Sequence, residues 1–98
     1  MSRHGPEHYL KEQIKKHLAT LGAYFFMPVQ TGYGKRTIDV LACLSGRFLG
    51  IEAKAPGKKP NGQQEACMQD IVEAGGVAFW CDSFAAYLDH MRQNGFVR

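Results

Sequence analysis

Cysteine is scarce: Cys43, Cys67 and Cys81 are three in number, widely spaced, and form no Cys-x-x-Cys pair. An odd count without such a pair excludes a disulfide framework and a zinc ribbon. Small buried thiols in a reducing compartment are the expected role. No apolar run approaches the roughly 18 residues needed to cross a bilayer. Nothing after Met1-Ser2-Arg3 reads as a signal peptide, so a soluble, cytoplasmic protein is expected. The chain also lacks internal repeats and low-complexity tracts, which removes solenoids and flexible linkers from consideration.

What is present is the composition of one ordinary globular domain. The 98 residues are 45% hydrophobic and 21% charged, enough for a single modest core spanning 1–98. The net charge of +3 permits a nucleic-acid partner without requiring one.

The first helix is expected from Gly5-Pro6-Glu7, where proline suits the first turn and an acid favours the dipole, to Gly22. Leu10, Ile14, Leu18 and Leu21 form its apolar stripe, and at about 100° per residue Glu7 falls on that stripe while Glu12 does not. Lys11, Lys15 and Lys16 flank it. Ala23 to Val29 reads as an aromatic-rich strand, with Pro28 marking an edge or an end. The stretch 30–36 is a glycine-punctuated loop carrying Tyr33, Lys35 and Arg36.

The centre of the chain is Thr37 to Lys54, two apolar period-2 segments folded about Ser45-Gly46. If Leu44 faces Arg47, then Cys43 lies opposite Phe48, Leu41 opposite Gly50 and Asp39 opposite Glu52. A four-residue loop keeps these pairs and a three-residue loop breaks them. The register brings two carboxylates face to face, with Cβ atoms roughly 4.5–5.5 Å apart. Two such acids share a proton or bind a cation. Lys54, two residues past Glu52, leaves from the same face. An isolated acid-x-Lys triplet is an ordinary surface ion pair; the cross-strand Asp39 is what sets this one apart.

Ala55 to Gly62 is broken by prolines and glycines and adds Lys58 and Lys59 to a basic rim. A second helix is expected over about Gln63 to Ala74, with Cys67, Met68, Ile71 and Gly75 inward and Gln64 on the same face. Val77 to Cys81 lacks alternation, as in a strand covered on both faces. Asp82-Ser83 caps a closing helix, Phe84 to about Gln93, with Phe84, Tyr87, Leu88 and Met91 inward. The order is α-β-β-β-α-β-α.

At Glu7, Ile38-Asp39, Gly50-Ile51-Glu52-Ala53-Lys54, Gln64 and Gly75-Gly76, the chain resembles the virus-type replication-repair nuclease (VRR-NUC) domains of the PD-(D/E)xK superfamily. The resemblance spans nearly the whole chain. It implies an α/β fold with a restriction-endonuclease-like α-β-β-β-α-β core, a mixed central sheet flanked by helices, plus a C-terminal helix. By that similarity Glu7, Asp39 and Glu52 are ligands of Mg²⁺ or Mn²⁺, joined by the Ala53 carbonyl; Lys54 is catalytic and Gln64 completes the site. Ile38 stands where the superfamily has proline, but that proline is not a ligand. Stand-alone members look like small phage or bacterial homodimeric nucleases acting on branched DNA, Holliday junctions included.

The expectation is therefore a metal-dependent, structure-selective DNA endonuclease in a bacterial or phage-infected cell. It uses no organic cofactor and contacts phosphate through Lys11, Lys15, Lys16, Lys35, Arg36, Lys58 and Lys59, with Tyr33 beside them. Two rivals stand against it. A catalytically silent nucleic-acid-binding module would bind DNA without metal-dependent cleavage. A zinc site from His4, His8, Glu7 and a cysteine has one i, i+4 pair, but His4 precedes the helix and no partner pair follows. His17 and His90 read as surface or interface residues.

Overall fold

The Leu10, Ile14, Leu18 stripe becomes α1, Pro6–Thr20, in a computed structural model that describes residues 5–29 and 37–98. Gly5 is its N-cap, without a side-chain cap, and Pro6 sits in the first turn where its missing N–H costs nothing. Gly22, at φ +77°, turns the chain out of the helix.

The strand expected over Ala23 to Val29 shrinks to β1, Tyr24–Phe26. It pairs only with β2, Val40–Leu44, so it is an edge strand, and Pro28 just beyond it has no N–H to extend the ladder. β2 folds back onto β3, Arg47–Ala53, in the expected register, with Leu44 opposite Arg47, Cys43 opposite Phe48 and Leu41 opposite Gly50. The turn takes φ 53° at Ser45 and φ 77° at Gly46. Two positive values in a two-residue hairpin loop match the right-handed twist of the flanking strands.

Helix α2, Gly62–Glu73, then carries the chain across to β4, Val77–Cys81, which runs parallel to β3. α3, Phe84–Gln93, closes the fold with Ser83 Oγ accepting from the Ala86 amide. The sheet order is β1-β2-β3-β4. It is the mixed sheet flanked by helices anticipated above.

Strand alternation sorts the core into two layers. Val40, Ala42, Leu44, Leu49, Ile51, Phe79 and Cys81 pack on the stripe of α1 and on Tyr87 and Met91 of α3. On the opposite side Ile38, Leu41, Ala78 and Trp80 pack with Cys67, Met68 and Ile71 of α2. β4, though at the sheet edge, is thus covered on both faces. No helix among the described residues is long and apolar enough to cross a membrane.

Three expectations need correction. Cys67 and Cys81 are buried, but Cys43 is exposed, because α2 does not extend over its part of β2. His17 is not a surface residue: its Nδ1 lies 2.7 Å from the Tyr87 hydroxyl, linking α1 to α3, and its partial burial lowers its pKa. His90 stacks on Phe79 at 4.5 Å and 11° between planes.

Gly76 carries a steric requirement. A Cβ there would stand 2.8 Å from Ile71 Cγ2 and 3.2 and 3.3 Å from the carbonyl oxygens of Phe48 and Ile71. Backbone oxygens cannot swing aside as a side chain can. Gly76→Ala is expected to destabilise by about 1–3 kcal/mol, read as a lower urea midpoint at unchanged slope. At Gly50 the close neighbours, 2.7 and 2.8 Å away, are only the Cδ1 methyl ends of Ile71 and Ile38. Gly50→Ala should therefore cost less than Gly76→Ala.

Candidate active site

Asp39 immediately precedes β2 and Glu52 is the penultimate residue of β3, so the hairpin register sets them opposite each other. The backbone ladder is replaced here by side chains. The Asp39 amide donates to Glu52 Oε1 at 3.1 Å, and the Ala53 amide donates to Asp39 Oδ2 at 3.0 Å. Each acid thereby caps the backbone of the opposing segment, which offsets part of the repulsion between two carboxylates. Glu7, in the first turn of α1, supplies the third acid. One oxygen each from Glu7, Asp39 and Glu52 lie within 4.8 Å of one another.

Two ammonium groups face this cluster. The Lys54 amide donates to the Cys81 carbonyl at 2.9 Å, prolonging the β3–β4 pairing, and its Nζ is 3.4 Å from Glu52 Oε2. Lys11, one helical turn beyond Glu7, places Nζ 3.9 Å from Asp39 Oδ1. The sequence reading put Lys11 among the peripheral phosphate contacts; the structure sets it against the acids. Its i, i+4 relation to the inward Glu7 was the available signal.

Glu52 is 1% exposed. Burial first, and then the neighbouring charge of Asp39, push its carboxyl up to about 7, against the pull of the Asp39 amide and Lys54. It is a carboxylate kept near neutrality by a site that holds no compensating dication. The Cys81 thiol is pushed up to about 12, chiefly by burial, so it offers no thiolate for zinc. Among the described residues, the group able to hold a metal contains neither His nor Cys, and His4 lies outside them.

Gln64 occupies a different position from the one expected. Its Oε1 accepts the Asn61 amide and its own amide donates to Asn61 Oδ1, both at 2.9 Å. This reciprocal capping box satisfies two orphan donors at the start of α2, and it engages the side chain that was to reach the acids. Ala53 is fully buried beside the cluster. Lys15, Lys16, Lys58 and Lys59 are exposed, whereas Tyr33, Lys35 and Arg36 lie outside the described residues.

Three converging carboxylates with no soft donor are suited to a hard divalent cation, which prefers oxygen ligands. The donor set fits Mg²⁺ or Mn²⁺.

This mixed sheet between α1 and α3 on one side and α2 on the other, with acids at one end of its hairpin, defines a nuclease-type α/β fold. A solved structure described as "VRR_NUC domain" matches with a TM-score of 0.76 at 20% sequence identity, over 94% of this chain and 99% of that one. The chain has the fold of that domain. No protein-family model matches the sequence, and no curated protein matches it.

Proposed function

We propose that the protein is a metal-dependent DNA endonuclease built as one nuclease domain over residues 1–98. The observation that carries this reading is the meeting of Glu7, Asp39 and Glu52, from a helix and two strand ends, with Lys54 beside them. Glu7, Asp39 and Glu52, with the Ala53 carbonyl, would hold Mg²⁺ or Mn²⁺. When bound, such an ion polarises a phosphodiester oxygen and acidifies a water.

Lys54 supplies what the acids cannot: a fixed positive charge at the rim, able to orient the attacking water and to stabilise charge developing on phosphorus oxygens. The burial of Glu52 keeps bulk water from screening these interactions. Gln64 joins the site only on releasing Asn61. Exposed Lys15, Lys16, Lys58 and Lys59, with Lys35, Arg36 and Tyr33 of the 30–36 loop, contact phosphate. This supports recognition by DNA shape, consistent with a branched or junction substrate cut by a homodimer in a bacterial or phage-infected cytoplasm.

The test is cleavage of single-stranded, duplex, flap and four-way DNA with Mg²⁺ or Mn²⁺ against a chelator control. Metal-dependent cleavage supports the reading. DNA binding without cleavage in either metal would leave a silent binding module on the same fold.

Lys11 gives a separate expectation. An ammonium group within a few ångströms of a dication costs on the order of 1.5 kcal/mol in high dielectric. Lys11→Gln should therefore tighten Mn²⁺ binding roughly tenfold by calorimetry. Weaker Mn²⁺ binding would mean that Lys11 organises the acids instead of competing with the ion.

A further inference from the structure

The face of the sheet beside α2 carries large apolar side chains that no described element covers. Register sets Tyr24, Cys43 and Phe48 in one row across β1, β2 and β3, with Phe26 and Leu41 in the next. Tyr24 is 81% exposed, Phe26 54% and Phe48 48%, and Cys43 is exposed as well. Next to these projections lies a recess of about 640 Å³ between α2 and the hairpin, walled by Leu41, Phe48, Ile71 and Ala74 with Asp70 as its charged member.

DNA does not suit this face. α2, which forms one wall, bears Glu65, Asp70 and Glu73 and no Lys or Arg, so a phosphate backbone laid along it meets only negative charge. The exposed Lys15 and Lys16 belong to α1, which packs on the opposite face of the sheet. A protein surface is the fitting occupant.

The extent of the patch matches a subunit contact. Taking roughly 200 Å² for a whole aromatic side chain, the exposed parts of the three aromatics offer about 350 Å². That is close to half of the roughly 800 Å² each partner contributes to a standard interface, and the recess adds to it. Projection and recess also lie side by side on one face. A two-fold axis through such a face seats the projection of each copy in the recess of the other, the self-complementary arrangement that isologous dimers require.

We propose that this face is the surface on which two copies of the chain associate. The proposal rests on the functional reading only for its use, since it gives the two nuclease sites of that reading a fixed separation. Cys43 and Phe48 lie four residues along their strands from Asp39 and Glu52, about 13 Å at 3.3 Å per residue. The acids consequently stay outside the contact.

The test is the mass of the full chain by sedimentation equilibrium at micromolar concentration, for wild type, Tyr24→Asp, Phe26→Asp and the control Gln93→Asp on the exposed end of α3. Wild type and control are expected at twice 10.9 kDa. The two patch variants, with unchanged circular dichroism, should dissociate about a hundredfold more readily. A monomeric wild type, or patch variants that remain dimeric, overturns the proposal. Alkylation of Cys43 with a bulky maleimide gives a readout free of any folding defect: labelled protein should be monomeric, and a labelled dimer counts against the interface. Mn²⁺ binding, measured on the same samples, separates the two readings. Monomeric variants that still bind Mn²⁺ leave the nuclease site standing on its own. A wild-type dimer that binds none retains the interface and removes the nuclease.

Discussion

Lys54→Ala is expected to lower metal-dependent cleavage by a factor of about 10² to 10³, the usual cost of deleting one preorganised donor from a site of developing charge. The fold should survive, because the strand contact at this residue is made by the backbone: the amide bonded to the Cys81 carbonyl is present in alanine too. Divalent binding should survive as well, and even strengthen. The Nζ group, 3.4 Å from Glu52 Oε2, is a cation competing for the oxygens that a metal would use. Activity lost together with metal binding would point instead to collapse of the acid cluster. Single-turnover rates in Mn²⁺, alongside calorimetric metal titration, distinguish these outcomes. Cleavage at the wild-type rate would remove Lys54 from the chemistry.

The acid site was legible in the sequence because hairpin geometry converts a turn into a set of contacts. Once Ser45-Gly46 is the turn, Asp39 and Glu52 must meet, and the structure pairs Leu44 with Arg47 as that reading requires. Glu7 was legible for a similar reason, since helical period alone places it above Leu10 and Ile14. The helix ends were equally readable from caps, as at Ser83 and Asn61.

What escaped depended on side-chain reach and on distant partners. Angular position put Lys11 on a flank, but a four-carbon stem can bring its charge back to Asp39. Gln64 was read from its helix face alone, although Asn-x-x-Gln at a helix start is itself a capping pattern. His17 finds Tyr87 seventy residues along the chain, a contact that no local period encodes. The exposure of Cys43 depends on where α2 stops covering the sheet, which is a property of packing and not of β2.

Glu52 yields the second large effect, a stability that falls as the solution becomes more alkaline. In the folded protein its carboxyl holds a proton up to about 7, against 4.5 for the free group. Between those values the folded state binds more protons than the unfolded state. The unfolding free energy therefore decreases as pH rises through this window, and the contribution is fully present only below about 4.5. The ceiling on the loss is about 3 kcal/mol, which for a domain of this size lowers Tm by about 10 °C or more. His17, whose pKa is lowered by burial, acts with the opposite sign, gaining stability as pH rises through its own range. Comparing wild type with Glu52→Gln cancels that background, because His17 is common to both. The variant should lack the Glu52-dependent decline and be the more stable of the two in metal-free buffer near pH 8. Mn²⁺ should restore wild-type Tm at that pH, since the cation takes the place of the missing proton, and should leave Glu52→Gln nearly unmoved. Parallel Tm profiles for the two proteins would mean that Glu52 ionises freely in the fold, and the electrostatic case for a cation among these acids would lose its main support.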